Sequence, residues 1–183
     1  MFWSLAMILA AAQPENCWTI ADFSDPEEAR RWQVVNDGVM GGRSVGEAAI
    51  RDGALYFAGT INTNGGGFSS LRRSLDPGAL DGAGRIRVTM QGDGRDYQLS
   101  MRSDVAWRGR PVAYRGSLDP LGVETGWQVA SVKLSDNLDT SIFGRTVRAP
   151  TFEPAAAREI GIILADGQDG DFAVRIKRIE ACK

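Results

Sequence analysis

Histidine does not occur anywhere in the 183 residues. Its absence excludes imidazole acid–base chemistry, Ser-His-Asp triads, axial haem histidines and most catalytic zinc sites. An excess of either charge is missing too, because 21 Lys and Arg face 23 Asp and Glu for a net charge of −2. No basic run offers an electrostatic footprint for nucleic acid or an anionic membrane surface. Apolar runs stay short of the roughly 20 residues that a membrane-spanning helix needs. Cysteine is limited to Cys17 and Cys182, near the two ends. Two thiolates are too few for a metal centre, and in an exported protein an even pair predicts a disulfide. The other reading is two buried free thiols.

What the chain does contain begins with an apolar stretch, residues 1–12, in which Ala10 and Ala12 precede Gln13-Pro14. Small residues at those positions suit a signal-peptidase cut, although no Lys or Arg precedes the apolar stretch. The expectation is a leader over 1–12, a single domain over 18–182, and a periplasmic or secreted location. An N-terminal strand or a mis-called start site is the alternative, and either would leave the protein cytoplasmic.

Most of the remainder alternates with period two. Ile86, Val88 and Met90 alternate with Arg85, Arg87 and Thr89, and Tyr97, Leu99 and Met101 with Gln98, Ser100 and Arg102. Phe172, Val174 and Ile176 repeat the pattern until Ile179 breaks it as a bulge would. Asp-Gly and Asp-Pro-Gly turns separate these runs. Asp166-Gly167-Gln168-Asp169-Gly170-Asp171 lacks the spacing and closing Glu of a calcium loop and reads as a hairpin turn. Asp25, Pro26 and Glu28 predict one short helix over Asp25–Trp32, and a second turn is expected near Pro154. Nine to eleven short strands with so little helix predict an all-β jelly-roll sandwich.

Two Gly-rich stretches interrupt the first half, Asn36–Ser44 and Asn64–Arg72. Neither ends as a phosphate loop does. Glycine serves where φ must be positive or where a backbone or ligand comes close. Gly41, Gly42, Gly66 and Gly67 are therefore expected to be structural. The other residues, Asn36, Asp37, Met40, Ser44, Phe68, Ser69 and Arg72, are candidates for a binding surface, against the plainer reading of a tight corner. Gln98 and Arg102 share the polar face of one strand and could donate hydrogen bonds to a sugar. Trp107 beside Arg108-Gly109-Arg110 suits an exposed loop and an interface anchor, whereas Trp127 is expected in the core. No serine or lysine sits in a pattern that would activate it as a nucleophile, so no catalytic residue, cofactor or metal is expected.

The run Trp32-Gln33-Val34-Val35-Asn36-Asp37-Gly38-Val39-Met40-Gly41-Gly42-Arg43-Ser44, then Gly53–Gly59 and Gly65-Gly66-Gly67-Phe68-Ser69-Ser70-Leu71-Arg72, resembles the opening of the complex I intermediate-associated protein 30 family. Trp127-Gln128-Val129, Phe143-Gly144-Arg145, Ile160-Gly161-Ile162 and Gly170–Ile176 resemble its later elements in order. The resemblance implies a galactose-binding-like jelly roll and a non-catalytic module of assembly-factor type, with a protein partner. A carbohydrate-binding module of the same fold is the alternative.

Overall fold

The computed structural model describes residues 16–118, 126–135 and 138–183. The expected leader lies outside them. Among the described residues thirteen strands form two sheets: β1 (Cys17–Asp22), β2 (Gln33–Asn36), β3 (Val45–Arg51), β4 (Ala54–Ile61), β5 (Ser69–Ser74), β6 (Arg85–Gln91), β7 (Tyr97–Trp107), β8 (Arg110–Ser117), β9 (Gln128–Lys133), β10 (Asp139–Ile142), β11 (Arg145–Thr146), β12 (Ala157–Leu164) and β13 (Gly170–Cys182). The count exceeds the expected nine to eleven because β2, β10 and β11 are too short to show alternation. Among the described residues no helix is long and apolar enough to cross a membrane.

One sheet has the order β3-β4-β13-β6-β9, with β1 also paired to β13; the other runs β11-β10-β8-β7-β12-β5-β2. β13 is long enough that β4 pairs with its first half and β1 with its second, both opposite the edge taken by β6. The alternating apolar residues face inward as expected. Leu55, Phe57, Ile86, Val88, Val174 and Ile176 meet Leu71, Leu99, Met101, Ile160 and Ile162, all within 1% of full burial. Such complete apolar burial supplies the main driving force for closing the two sheets on each other. The register of β13 against β6 shifts between Ile176 and Arg178, which lets Ile179 and Ala181 return to the core. Cys17 and Cys182 face each other across the β1–β13 pair and are joined as a disulfide. A bridge of this kind belongs to oxidising surroundings such as the periplasm or the extracellular space.

Three sequence expectations need correction. The expected helix is only a four-residue 3-10 turn, Glu28–Arg31. Glu28 does not close a capping box, because its carboxylate accepts from Trp32 Nε1 at 3.0 Å and pairs with the buried Arg73. The 166–171 segment is not a hairpin, since β12 and β13 belong to different sheets. It is a corner clamped by Arg95, which donates to both Asp166 oxygens at 2.6 and 2.8 Å and to the carbonyls of Gln168 and Asp171. Trp127 lies outside the core at 39% exposure, with Arg175 and Lys177 over its ring. Strand β9 turns Ala130, Val132 and Leu134 inward, so Val129 and Trp127 fall on the outer side.

Candidate functional site

The two Gly-rich stretches do meet, but around a buried carboxylate. Asp37 has no exposed surface. Its Oδ1 accepts from the Ser44 amide at 2.8 Å, and its Oδ2 accepts from the Ser44 hydroxyl and the Gly67 amide, both at 2.6 Å, with Phe68 N at 3.4 Å. Burial alone would raise this carboxyl. The Ser44 hydroxyl and the Gly67, Ser44 and Phe68 amides outweigh burial and hold it below the usual carboxylate range. Beside it, Ser69 Oγ donates to Asn36 Oδ1 at 2.6 Å, and Asn36 reaches Gly46 O at 3.5 Å. Asn36, Asp37, Ser44 and Ser69 are thus a corner's internal wiring rather than the binding surface expected of them. Burying a carboxylate is tolerable only when donors surround it, and the glycines let backbone N–H groups come that close.

The glycines divide by mechanism. Gly41 has φ +88° with nothing within 4 Å of an added Cβ. A Cβ on Gly42 or Gly66 would fall 2.2 or 2.3 Å from the Asp37 carboxylate. Gly67 combines φ +120° with ordinary packing on Thr63. Gly41→Ala is expected to cost about 1 kcal/mol through backbone strain. Gly42→Ala is expected to cost roughly 2–3 kcal/mol, because the added methyl group must displace a buried charge. Urea unfolding of both variants checks the ranking; equal losses would contradict the packing of Gly42 on the carboxylate.

Next to this corner, a groove of about 600 Å³ runs over the outer face of the seven-stranded sheet. One end is walled by Met40, Gly66, Gly67 and Phe68 from the Gly-rich stretches, the other by Arg110 and Phe143. Between them the floor crosses β5, β12, β7, β8 and β10. Five strand spacings separate β2 from β10, about 24 Å at the usual 4.8 Å each. Side chains of one strand parity make the floor: Arg72 from β5, Arg102 from β7, Ala113 and Arg115 from β8, and Ser141 from β10. Gly161 sits between Arg72 and Ser100 in register, and a Cβ there would come 3.1 Å from Arg72 Cγ. Its lack of a side chain lets Arg72 lie across β12.

Every ionisable side chain lining the groove is an arginine. Glu159 stands nearby and is shared loosely, 3.5 Å from Arg102 Nε and 3.9 Å from Arg72 Nη1. Arg72 is lowered by burial and by repulsion from Arg102, against the pull of Glu159, and Arg115 by burial and the same neighbour, against the pull of Asp139. Among the described residues four side-chain polar atoms are buried without a hydrogen-bond partner; three of them, Arg102 Nε, Arg115 Nε and Ser141 Oγ, belong to groove residues. Native proteins leave few such atoms, and those that remain call for an explanation. Phe143 is 66% exposed and sits at φ +46°, a strained conformation for an aromatic residue. Arg110 stacks over its ring.

Of the expected binding residues, Met40, Phe68, Arg72 and Arg102 line this groove. Gln98 shares the strand face of Arg102 but lies beyond the lining. Trp107 is 38% exposed at the β7–β8 hairpin tip, with Arg108 over its ring, and is also outside the lining. Arg115 and Ser141 were missed. Arg115 alternates with the inward Val112 and Tyr114, so its outward parity was readable, but nothing in one strand shows that it stands near Arg102. Among the described residues no three of His, Cys, Asp and Glu gather as metal ligands.

A family model described as complex I intermediate-associated protein 30 matches residues 21–176. No curated protein matches the chain. Among solved structures, the family 11 carbohydrate-binding module of the cellulosomal cellulase Lic26A-Cel5E of Clostridium thermocellum is 14% identical, with a TM-score of 0.64, over 93% of this chain and 95% of that one. The Clostridium thermocellum family 11 module in complex with a β-1,3-1,4-mixed-linked tetrasaccharide gives 14% and 0.65 over 90% and 94%. A family 30 carbohydrate-binding module gives 14% and 0.52 over 78% and 92%. At these identities the likeness is one of fold: a β-sandwich.

Proposed function

The chain belongs to the complex I intermediate-associated protein 30 family, and from that premise we propose that it is a non-catalytic binding module that takes an extended glycan in the groove of its seven-stranded sheet. The observation behind this reading is the groove itself, about 600 Å³ long-sided space with arginine donors on its floor and the exposed Phe143 ring at its end. Sugar sites combine a ring to stack on with a few fixed donors. The similar sandwich solved with a mixed-linked tetrasaccharide supports a glycan in preference to a small metabolite.

A protein partner is the second reading. It is favoured by Met40, 44% exposed, which with Phe143 gives two apolar anchors inside a polar rim. The family description, with its reference to a complex I intermediate, points the same way.

Affinity electrophoresis through gels containing soluble polysaccharides separates the two. Retardation is expected for at least one glycan, and Phe143→Ala is expected to weaken it about tenfold, or roughly 1.4 kcal/mol, without changing the melting temperature. Trp107→Ala, off the groove, is expected to bind normally. If no glycan retards the protein while an intact-cell crosslink maps to Met40 and Phe143, the protein-partner reading replaces this one.

A further inference from the structure

We propose that the ligand of this groove is acidic: a polysaccharide whose carboxylate or sulfate oxygens are held by Arg72, Arg102 and Arg115. This rests on the glycan reading above and specifies the chemistry of that ligand. Three guanidinium groups on adjacent or near-adjacent strands, plus Arg110 at the rim, face one cleft with no acidic residue in its lining. The whole chain is nevertheless acidic, at −2, so the cluster is local and runs against the overall charge.

Placing like charges together on a partly buried sheet face costs free energy, which Glu159 beside Arg72 and Arg102 and Asp139 across from Arg115 offset in part. Glu159 is shared between Arg72 and Arg102 at distances too long for a hydrogen bond to either. Arg72 is held in place from behind, its Nε donating to Ser70 Oγ at 2.9 Å. Arg115 Nε and Ser141 Oγ are shielded from water without a hydrogen-bond partner, and Arg102 Nε has only the Glu159 carboxylate at 3.5 Å. An oxyanion entering the cleft would relieve the repulsion among the guanidinium groups that line it. Guanidinium forks match carboxylate and sulfate oxygens in pairs. A neutral glucan would leave the positive charges uncompensated.

Isothermal titration at 50 mM NaCl with hexagalacturonate, a sulfated galactan hexaose and a neutral mixed-linked β-glucan hexaose tests this. Binding of at least one acidic hexaose is expected at tenfold or greater preference over the neutral one. That affinity is expected to fall several-fold at 300 mM NaCl as the charges are screened. Carboxylate and sulfate sources are told apart by which of the two acidic sugars binds. Arg102→Gln and Arg115→Gln should each weaken binding about tenfold, and Arg51→Gln, on the other sheet, should not. The salt series uses the unaltered protein and so stands even if a variant misfolds. Equal or better binding of the neutral hexaose, insensitive to salt, would overturn the acidic ligand and leave the glycan reading intact. Binding of polyglutamate with no affinity for any of the three sugars would overturn both, as would no binding at all.

Discussion

Asp37→Ala is expected to lower stability by about 4 kcal/mol, the largest effect of any single substitution in the Gly-rich corner. The change removes the shared acceptor of the Ser44 amide and hydroxyl and of the Gly67 amide, and leaves the buried Ser44 donors without a partner on Asp37. Hydrogen bonds to a charged group contribute about 1.5–3 kcal/mol each, and an orphaned buried donor costs about 1–3 kcal/mol. The total is less than their sum because the loop can relax. In a domain of this size the melting temperature should drop by roughly 10 °C or more. Asp37→Asn adds a test of pH. The folded carboxyl lies below its unfolded value of 3.8. Its stabilisation is therefore complete above that value and is lost as pH falls through the lower folded one. The gap between the unaltered protein and Asp37→Asn should be widest near neutrality and shrink as pH drops from about 4 toward 2. A gap independent of pH would show that the charge contributes nothing. An unchanged melting temperature for Asp37→Ala would return the residue to the surface role expected from sequence.

The second large effect concerns the disulfide. Cys17 and Cys182 close a loop with a sequence separation of 165, and cross-linking so long a loop restricts the unfolded chain by roughly 5 kcal/mol in the chain-entropy model. The paired substitution Cys17→Ser with Cys182→Ser is expected to lose several kcal/mol and to lower the melting temperature by about 10–15 °C. Dithiothreitol should do the same to the unaltered protein and nothing to the variant. Differential scanning calorimetry with and without reductant reads both. Identical melts in all four samples would mean that the bridge does not form in solution.

The contrast between these residues shows what a single sequence discloses. Alternation in residues 86–90, 97–101 and 172–176 needed only neighbouring residues, and the sheets form where it placed them. The Glu28 turn needed knowledge of Arg73, which is distant in the chain and buried against it. The Gly-rich stretches drew attention for the right reason, a close approach, and the group that approaches Gly42 and Gly66 is Asp37 from within the chain. The groove was half visible: Met40, Phe68, Arg72 and Arg102 were singled out, yet only the pairing of β5 with β12 and of β12 with β7 brings Arg72 and Arg102 together. That order is non-local and leaves no trace in spacing. Trp127 misled because tryptophan is usually well buried, and here two cations cover its ring.

The position of β13 sets the order in which this protein can come into being. One of the two sheets is built around a strand at 170–182, which receives β4 and β1 on one edge and β6 on the other. Until those residues are available, β4 and β6 have no common neighbour, and Leu55, Phe57, Ile86 and Val88 lack Val174 and Ile176 between them. Folding that waits on contacts so distant in sequence is slow, on the order of milliseconds to seconds. A chain cut off before residue 170 is therefore expected to leave β1, β4 and β6 without the strand that joins them, and to be cleaved readily by proteases.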